Sequence, residues 1–95
     1  MNNESTPMPA STPHTTEEIV VGTTAKLWVA INDFFDSLIA EGFARGDEND
    51  AIVRGQEKYE FNYLFNNAGG VVESANLVMD WRDHLETHLG AHFSV

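Results

Sequence analysis

The stretch AKLWVAINDFFDSLIAEGF, residues 25–43, decides the fold. Leu27, Ile31, Phe34 and Leu38 step by four, three and four, and Trp28, Phe35 and Ile39 occupy the adjoining strip. That is the spacing of one face of a helix with 3.6 residues per turn. Lys26, Asp33, Asp36 and Ser37 gather on the opposite side, so the segment predicts an amphipathic helix with one face buried and one solvated. Its apolar arc is wide enough that two neighbouring helices are expected to leave part of it bare, for a second chain or a partner to cover. Either Gly42 or Gly46 is placed to end the helix through a left-handed residue, with Arg45 near the negative end of the dipole.

Toward the N-terminus, Thr15 and Glu18 have the spacing of a capping box, in which hydroxyl and carboxylate each satisfy a free backbone N–H. A rival reading makes the β-branched run Ile19-Val20-Val21 before Gly22 a short extended segment, with the helix starting near Thr23 or Thr24. Residues 1–14 hold all three prolines, many Ser and Thr, and few apolar side chains, so they are expected to form a disordered tail. Asn3-Glu4-Ser5 matches a glycosylation sequon; with no secretion signal before it, it is read as a chance match.

Toward the C-terminus, residues 46–50 form a polar connector in which Asn49 or Asp50 is a natural N-cap. The next segment carries two patterns. As a helix over 51–66 it aligns Ile52, Gln56, Tyr59 and Tyr63; as a strand it alternates Tyr59, Phe61, Tyr63 and Phe65 with polar residues. Helix is the preferred reading, because the flanking segments are helical and a lone hairpin is rarely stable. Asn66-Asn67-Ala68-Gly69-Gly70 is a turn, and from Val71 or Val72 to Leu89 a second amphipathic pattern places Leu77, Val78, Trp81, Leu85 and Leu89 opposite Asp80, Asp83, Glu86 and Thr87. Gly90 closes it, leaving Phe93 able to return to the core. The expected architecture is an all-α, three-helix bundle in a single domain over 15–95, after a tail at 1–14. The alternative is an α+β fold in which a hairpin at 51–65 packs on two helices.

Fifteen acidic residues against five basic ones give a formal charge of -10, which opposes direct binding to nucleic-acid backbones and to anionic membranes. The absence of Cys excludes disulfides, thiolate metal sites and cysteine nucleophiles. No membrane span or leader is evident, so a cytoplasmic location is the simplest reading. No nucleophile elbow, phosphate-binding loop or Cys–His pair occurs, and catalysis is not expected.

Asp80, His84, His88 and His92 follow one another at intervals of four. Neighbours in such a series share a helix face and can hold two positions of a metal shell. Residues eight apart stand about 12 Å from each other, so Asp80, His84 and His88 cannot all reach one ion from a straight helix. Further ligands have to come from elsewhere, with Glu57 and Glu60 the candidates. The Glu-x-x-His motif of metal-binding bundles is absent. The plainer reading makes His84 and His88 half-buried residues beside Trp81, favoured by the helix dipole. Protonating all four His takes the formal charge from -10 to -6, a change that matters at an interface.

The leading functional expectation is a non-enzymatic interaction module without a cofactor, which binds a partner protein's basic surface through Asp33, Asp36, Glu41, Asp47, Glu48, Asp50, Asp80, Asp83 and Glu86 together with Trp28 and Phe35. By analogy of class alone, small inhibitors of nucleic-acid-handling proteins, including DNA-mimicking phage-type accessory proteins, have this profile. One competing expectation is a metal-binding helical homo-oligomer using His84 and His88 with carboxylates. Another is a structural subunit of an assembly.

Overall fold

The computed structural model describes residues 16–94. The tail at 1–14, the sequon at Asn3 and the Thr15 half of the capping box lie outside them. Three helices follow in order: α1 (Thr16–Ala44), α2 (Glu48–Asn66) and α3 (Val71–His88). The described chain contains no strand, and the fold is the small all-α three-helix bundle. The hairpin alternative for 51–65 is thereby corrected, as is the extended reading of residues 19–21, which belong to the first turns of α1. Alternation of aromatics in α2 was a by-product of a helix that carries aromatic residues on both its buried and its solvated side.

Successive helices run antiparallel, so α1 and α3 are parallel. Trp28, Asn32, Asp36 and Gly42 of α1 meet Asn62, Lys58 and Ala51 of α2 in reversed order. Leu27, Ile31, Phe35, Phe61, Val78 and Leu85 are buried at the centre, and Trp28, Phe34, Phe65, Trp81, Leu89 and Phe93 pack around them. Each of the fully buried side chains contributes roughly 1.5–3 kcal/mol by leaving water. The centre of the apolar arc on α1 is covered by α2, α3 and the returning Phe93, while Val29 and Phe43 of the same helix stay 49% and 55% exposed, so part of its apolar surface is left bare, as the width of the arc led one to expect. Trp81 holds the three helices together, with its ring edge-on to Phe35 at 6.1 Å and tilted against Phe61 at 5.3 Å.

Asp47 both ends α1 and starts α2. Gly46, at φ 79°, is the left-handed residue after α1; its N–H donates to the Phe43 carbonyl at 3.1 Å and the Asp47 N–H to the Gly42 carbonyl at 2.8 Å. The Asp47 carboxylate then accepts from the Asp50 N–H at 3.1 Å, capping α2. The cap is therefore Asp47, not Asn49 or Asp50, and Gly46, not Gly42, terminates α1. Gly42 has a different task. A Cβ there would stand 3.0 Å from the Ala51 Cβ and 3.1 Å from its backbone nitrogen, so its missing side chain is what lets the two helices approach.

Half-buried amides fix the register of the α1–α2 pair. Asn62 Nδ2 donates to Asn32 Oδ1 at 2.7 Å and to the Lys58 carbonyl at 2.9 Å, while Asn62 Oδ1 accepts from the Trp28 indole at 2.9 Å. Asn32 Nδ2 donates to the Trp28 carbonyl at 2.9 Å. One turn further on, the Lys58 ammonium reaches Asp36 at 2.6 Å. Past α3, Gly90 at φ 71° reverses the chain, the Phe93 N–H donates to Glu86 at 3.1 Å, and the Phe93 ring meets Phe34 edge-on at 5.7 Å.

Two stability predictions follow from these contacts. Gly42→Ala is expected to destabilise the fold by about 1–3 kcal/mol through overpacking, whereas Gly22→Ala, helical and with nothing within 4 Å, is expected to stabilise it by about 0.5–1 kcal/mol; urea unfolding followed by circular dichroism resolves the opposite signs. Asn62→Ala leaves the Trp28 indole N–H without its acceptor and Asn32 Oδ1 without its donor and is expected to cost about 1–3 kcal/mol, measured the same way.

Candidate functional site

Because Lys58 and Asn62 face α1 and Phe61 faces the core, the opposite side of α2 is left to solvent. Glu48, Ile52, Tyr59 and Tyr63 lie on it at intervals of four, seven and four. Ile52 is 53% exposed, Tyr59 73% and Tyr63 57%, and the two tyrosine rings stack with centres 6.5 Å apart and planes 22° apart. Exposed Glu48 and Glu60 border them, and among the described residues neither has an ion-pair partner. Aromatic rings bordered by unneutralised carboxylates form a surface suited to guanidinium and ammonium groups, through both ring faces and charge. The sequence had aligned Ile52, Tyr59 and Tyr63 without assigning them this exposure. The signal that separates the two sides is the second line, Ala51, Lys58, Phe61 and Phe65, which is the side α2 turns inward.

Four of the five basic side chains are already paired within the chain. Lys58 holds Asp36, Arg82 holds Asp83 at 3.1 Å, and Arg45 lies 3.7 Å from Asp47 and 3.5 Å from Asp50. Arg54 lies 3.5 Å from Asp50 and holds Glu57 at 2.7 Å. The acidic residues singled out from the sequence therefore divide. Asp36, Asp47, Asp50 and Asp83 face cations, and Glu86 accepts the Phe93 N–H. Asp33, Glu41, Glu48 and Asp80 are exposed and have no ion pair among the described residues.

Neither aromatic in the expected contact set presents a free ring. Phe35 is fully buried at the bundle centre, so its assignment to a partner surface is corrected. The adjoining strip of α1 is turned inward by α3, a fact that periodicity along one helix does not carry. Trp28 is half-buried, its indole N–H engaged by Asn62 and its ring 5.9 Å from Phe65.

Two apolar grooves flank the N-terminal half of α1. One, of about 370 Å³, lies between Val21, Thr24 and Ala25 and the α2–α3 turn with Phe65 and Val71. The other, of about 250 Å³, runs between Ile19, Val20 and Thr23 and the α3 residues Ala75, Val78 and Met79. Neither contains an ionisable side chain.

His84 and His88 are both exposed on α3, with ring centres 4.8 Å apart, and the Trp81 ring meets His84 edge-on at 6.1 Å. Among the described residues no group of three or more His, Asp or Glu side chains could hold a metal ion. Asp80 is exposed one turn before His84 without completing such a group, and Glu57, considered from the sequence as a further ligand, is taken by Arg54. Within the described residues no helix is long and apolar enough to cross a membrane.

No family model matches this chain, and neither the curated proteins nor the solved structures contain a significant match.

The division between buried and exposed aromatics is measurable. Phe35→Ala is expected to cost about 3–5 kcal/mol of stability, while Tyr59→Ala is expected to stay within about 0.5 kcal/mol of the parent in chemical denaturation.

Proposed function

We propose that this protein is a non-catalytic interaction module that docks on a basic surface of a partner protein, with the outward side of α2 as the contact. The observation that carries this reading is the use of its cations. The chain has five against fifteen carboxylates, and four of the five are paired internally, which leaves acidic residues such as Asp33, Glu41, Glu48, Glu60 and Asp80 exposed without an ion pair among the described residues. Such a field speeds encounter with a Lys- and Arg-rich partner and disfavours acidic ones. Tyr59, Tyr63 and Ile52 supply the apolar and ring contact that charge alone does not, and Glu48 and Glu60 set the sign of the partner. Surfaces that hold nucleic-acid backbones have the required chemistry, so an inhibitor that occupies such a surface is the specific form of the proposal.

The test is affinity capture by the immobilised full chain at low salt and at roughly 0.5 M salt, with Tyr59→Ala/Tyr63→Ala and Glu48→Lys/Glu60→Lys variants alongside. A basic protein retained by the parent, released at high salt and lost by both variants is the expected result. Identical capture by parent and variants, or capture indifferent to salt, would rule the α2 surface out as the contact.

A further inference from the structure

The histidine pair on α3 has a geometry that the proposed docking surface does not use. Two imidazoles bound to one tetrahedral ion, with metal–nitrogen bonds of about 2 Å, hold their ring centres about 5 Å apart. The rings of His84 and His88 stand 4.8 Å apart with planes inclined at 46°, so the two side chains are already at chelating separation. The Trp81 edge beside His84 restrains one of them. Among the described residues neither ring has a hydrogen-bond or ion-pair partner that metal binding would have to displace.

The chain does not complete the shell by itself. Asp80 is two turns from His88, about 12 Å along the helix, and Glu57 is held by Arg54. No third His, Asp or Glu of the described residues joins the pair.

We propose that His84 and His88 are one half of a zinc-type metal site, completed by the same two residues of a second copy of this chain. Two i, i+4 pairs related by a two-fold axis give four imidazole nitrogens, a closed tetrahedral shell. Imidazole selects zinc and related transition ions over magnesium and calcium, which prefer oxygen. Asp80, exposed one turn before His84, adds negative potential on the approach to the site. Each copy carries a formal -10, so the chains repel when metal is absent and the ion at the contact offsets part of that repulsion. Assembly is in this way made conditional on metal.

The experiment uses the full chain without a histidine tag, stripped of metal and titrated with zinc at about pH 7.5. Calorimetry gives the stoichiometry and sedimentation gives the mass. The expected result is one zinc per two chains with a doubling of mass. Both should be lost in His84→Ala and in His88→Ala, retained in His92→Ala, and not produced by magnesium. Circular dichroism of the variants checks that the helices persist. An unchanged mass at about tenfold molar excess of zinc overturns the proposal, as does one zinc per chain without dimerisation, or dimerisation that survives in the His84 and His88 variants.

Discussion

The reciprocal amide pair between Asn32 and Asn62, with the Trp28 indole bonded to the same Asn62 oxygen, is the constraint on which the bundle depends. Apolar faces attract without direction, and two helices bearing Leu, Ile and Phe can slide by a turn at little cost. Half-buried amides cannot, because each unpaired donor or acceptor costs about 1–3 kcal/mol. With Asn32 opposite Asn62, Lys58 falls on Asp36 and Ala51 on Gly42, and Phe61 is brought to the centre beside Trp81. A polar contact thus selects the one register in which the apolar residues interdigitate, as single buried asparagines do in coiled coils.

Much of the fold was legible because α1 carries a strong period. Leu27 and Ile31 announce their burial from sequence, and Gly46 and the Asn66–Gly70 turn mark two of the boundaries. What was not legible depended on pairing. The inward side of α2 is chosen by Asn62 and Lys58 finding Asn32 and Asp36, and no pattern within 51–66 states that choice. For the same reason periodicity alone does not distinguish the buried Phe35 from a contact residue, nor show that Tyr59 and Tyr63 face solvent. Asp47 does not stand out from Asn49 and Asp50 as the cap in the sequence, because its backbone role in closing α1 and its side-chain role in opening α2 are visible only together.

The charge reading and the structure meet in the division of labour among the acids. Asp36 holds Lys58 across the α1–α2 pair, Asp47 and Asp50 hold Arg45 at its turn with Asp47 also capping α2, and Glu57 holds Arg54 within α2. Surface pairs of this kind are individually weak, and their larger effect is that they remove the basic residues from the outer field. What reaches solvent is an acidic surface with its exposed, stacked tyrosines on α2 and its histidines on α3. Two helices thus present different chemistries while α1 supports both.

Asp47 also sets how tightly the two helices are tethered to each other. Its N–H is the last donor to α1 and its carboxylate the first acceptor for α2, so the hairpin closes through Arg45, Gly46 and Asp47 with no slack. Closing so short a loop loses little chain entropy, and the contacts it brings in are near neighbours along the chain. The two-helix unit is therefore closed at low entropic cost, with Phe35 and Phe61 brought to the side on which α3 packs. Lengthening this turn by even one residue would separate the two helix ends that Asp47 joins, so that one residue could no longer close the first helix and open the second.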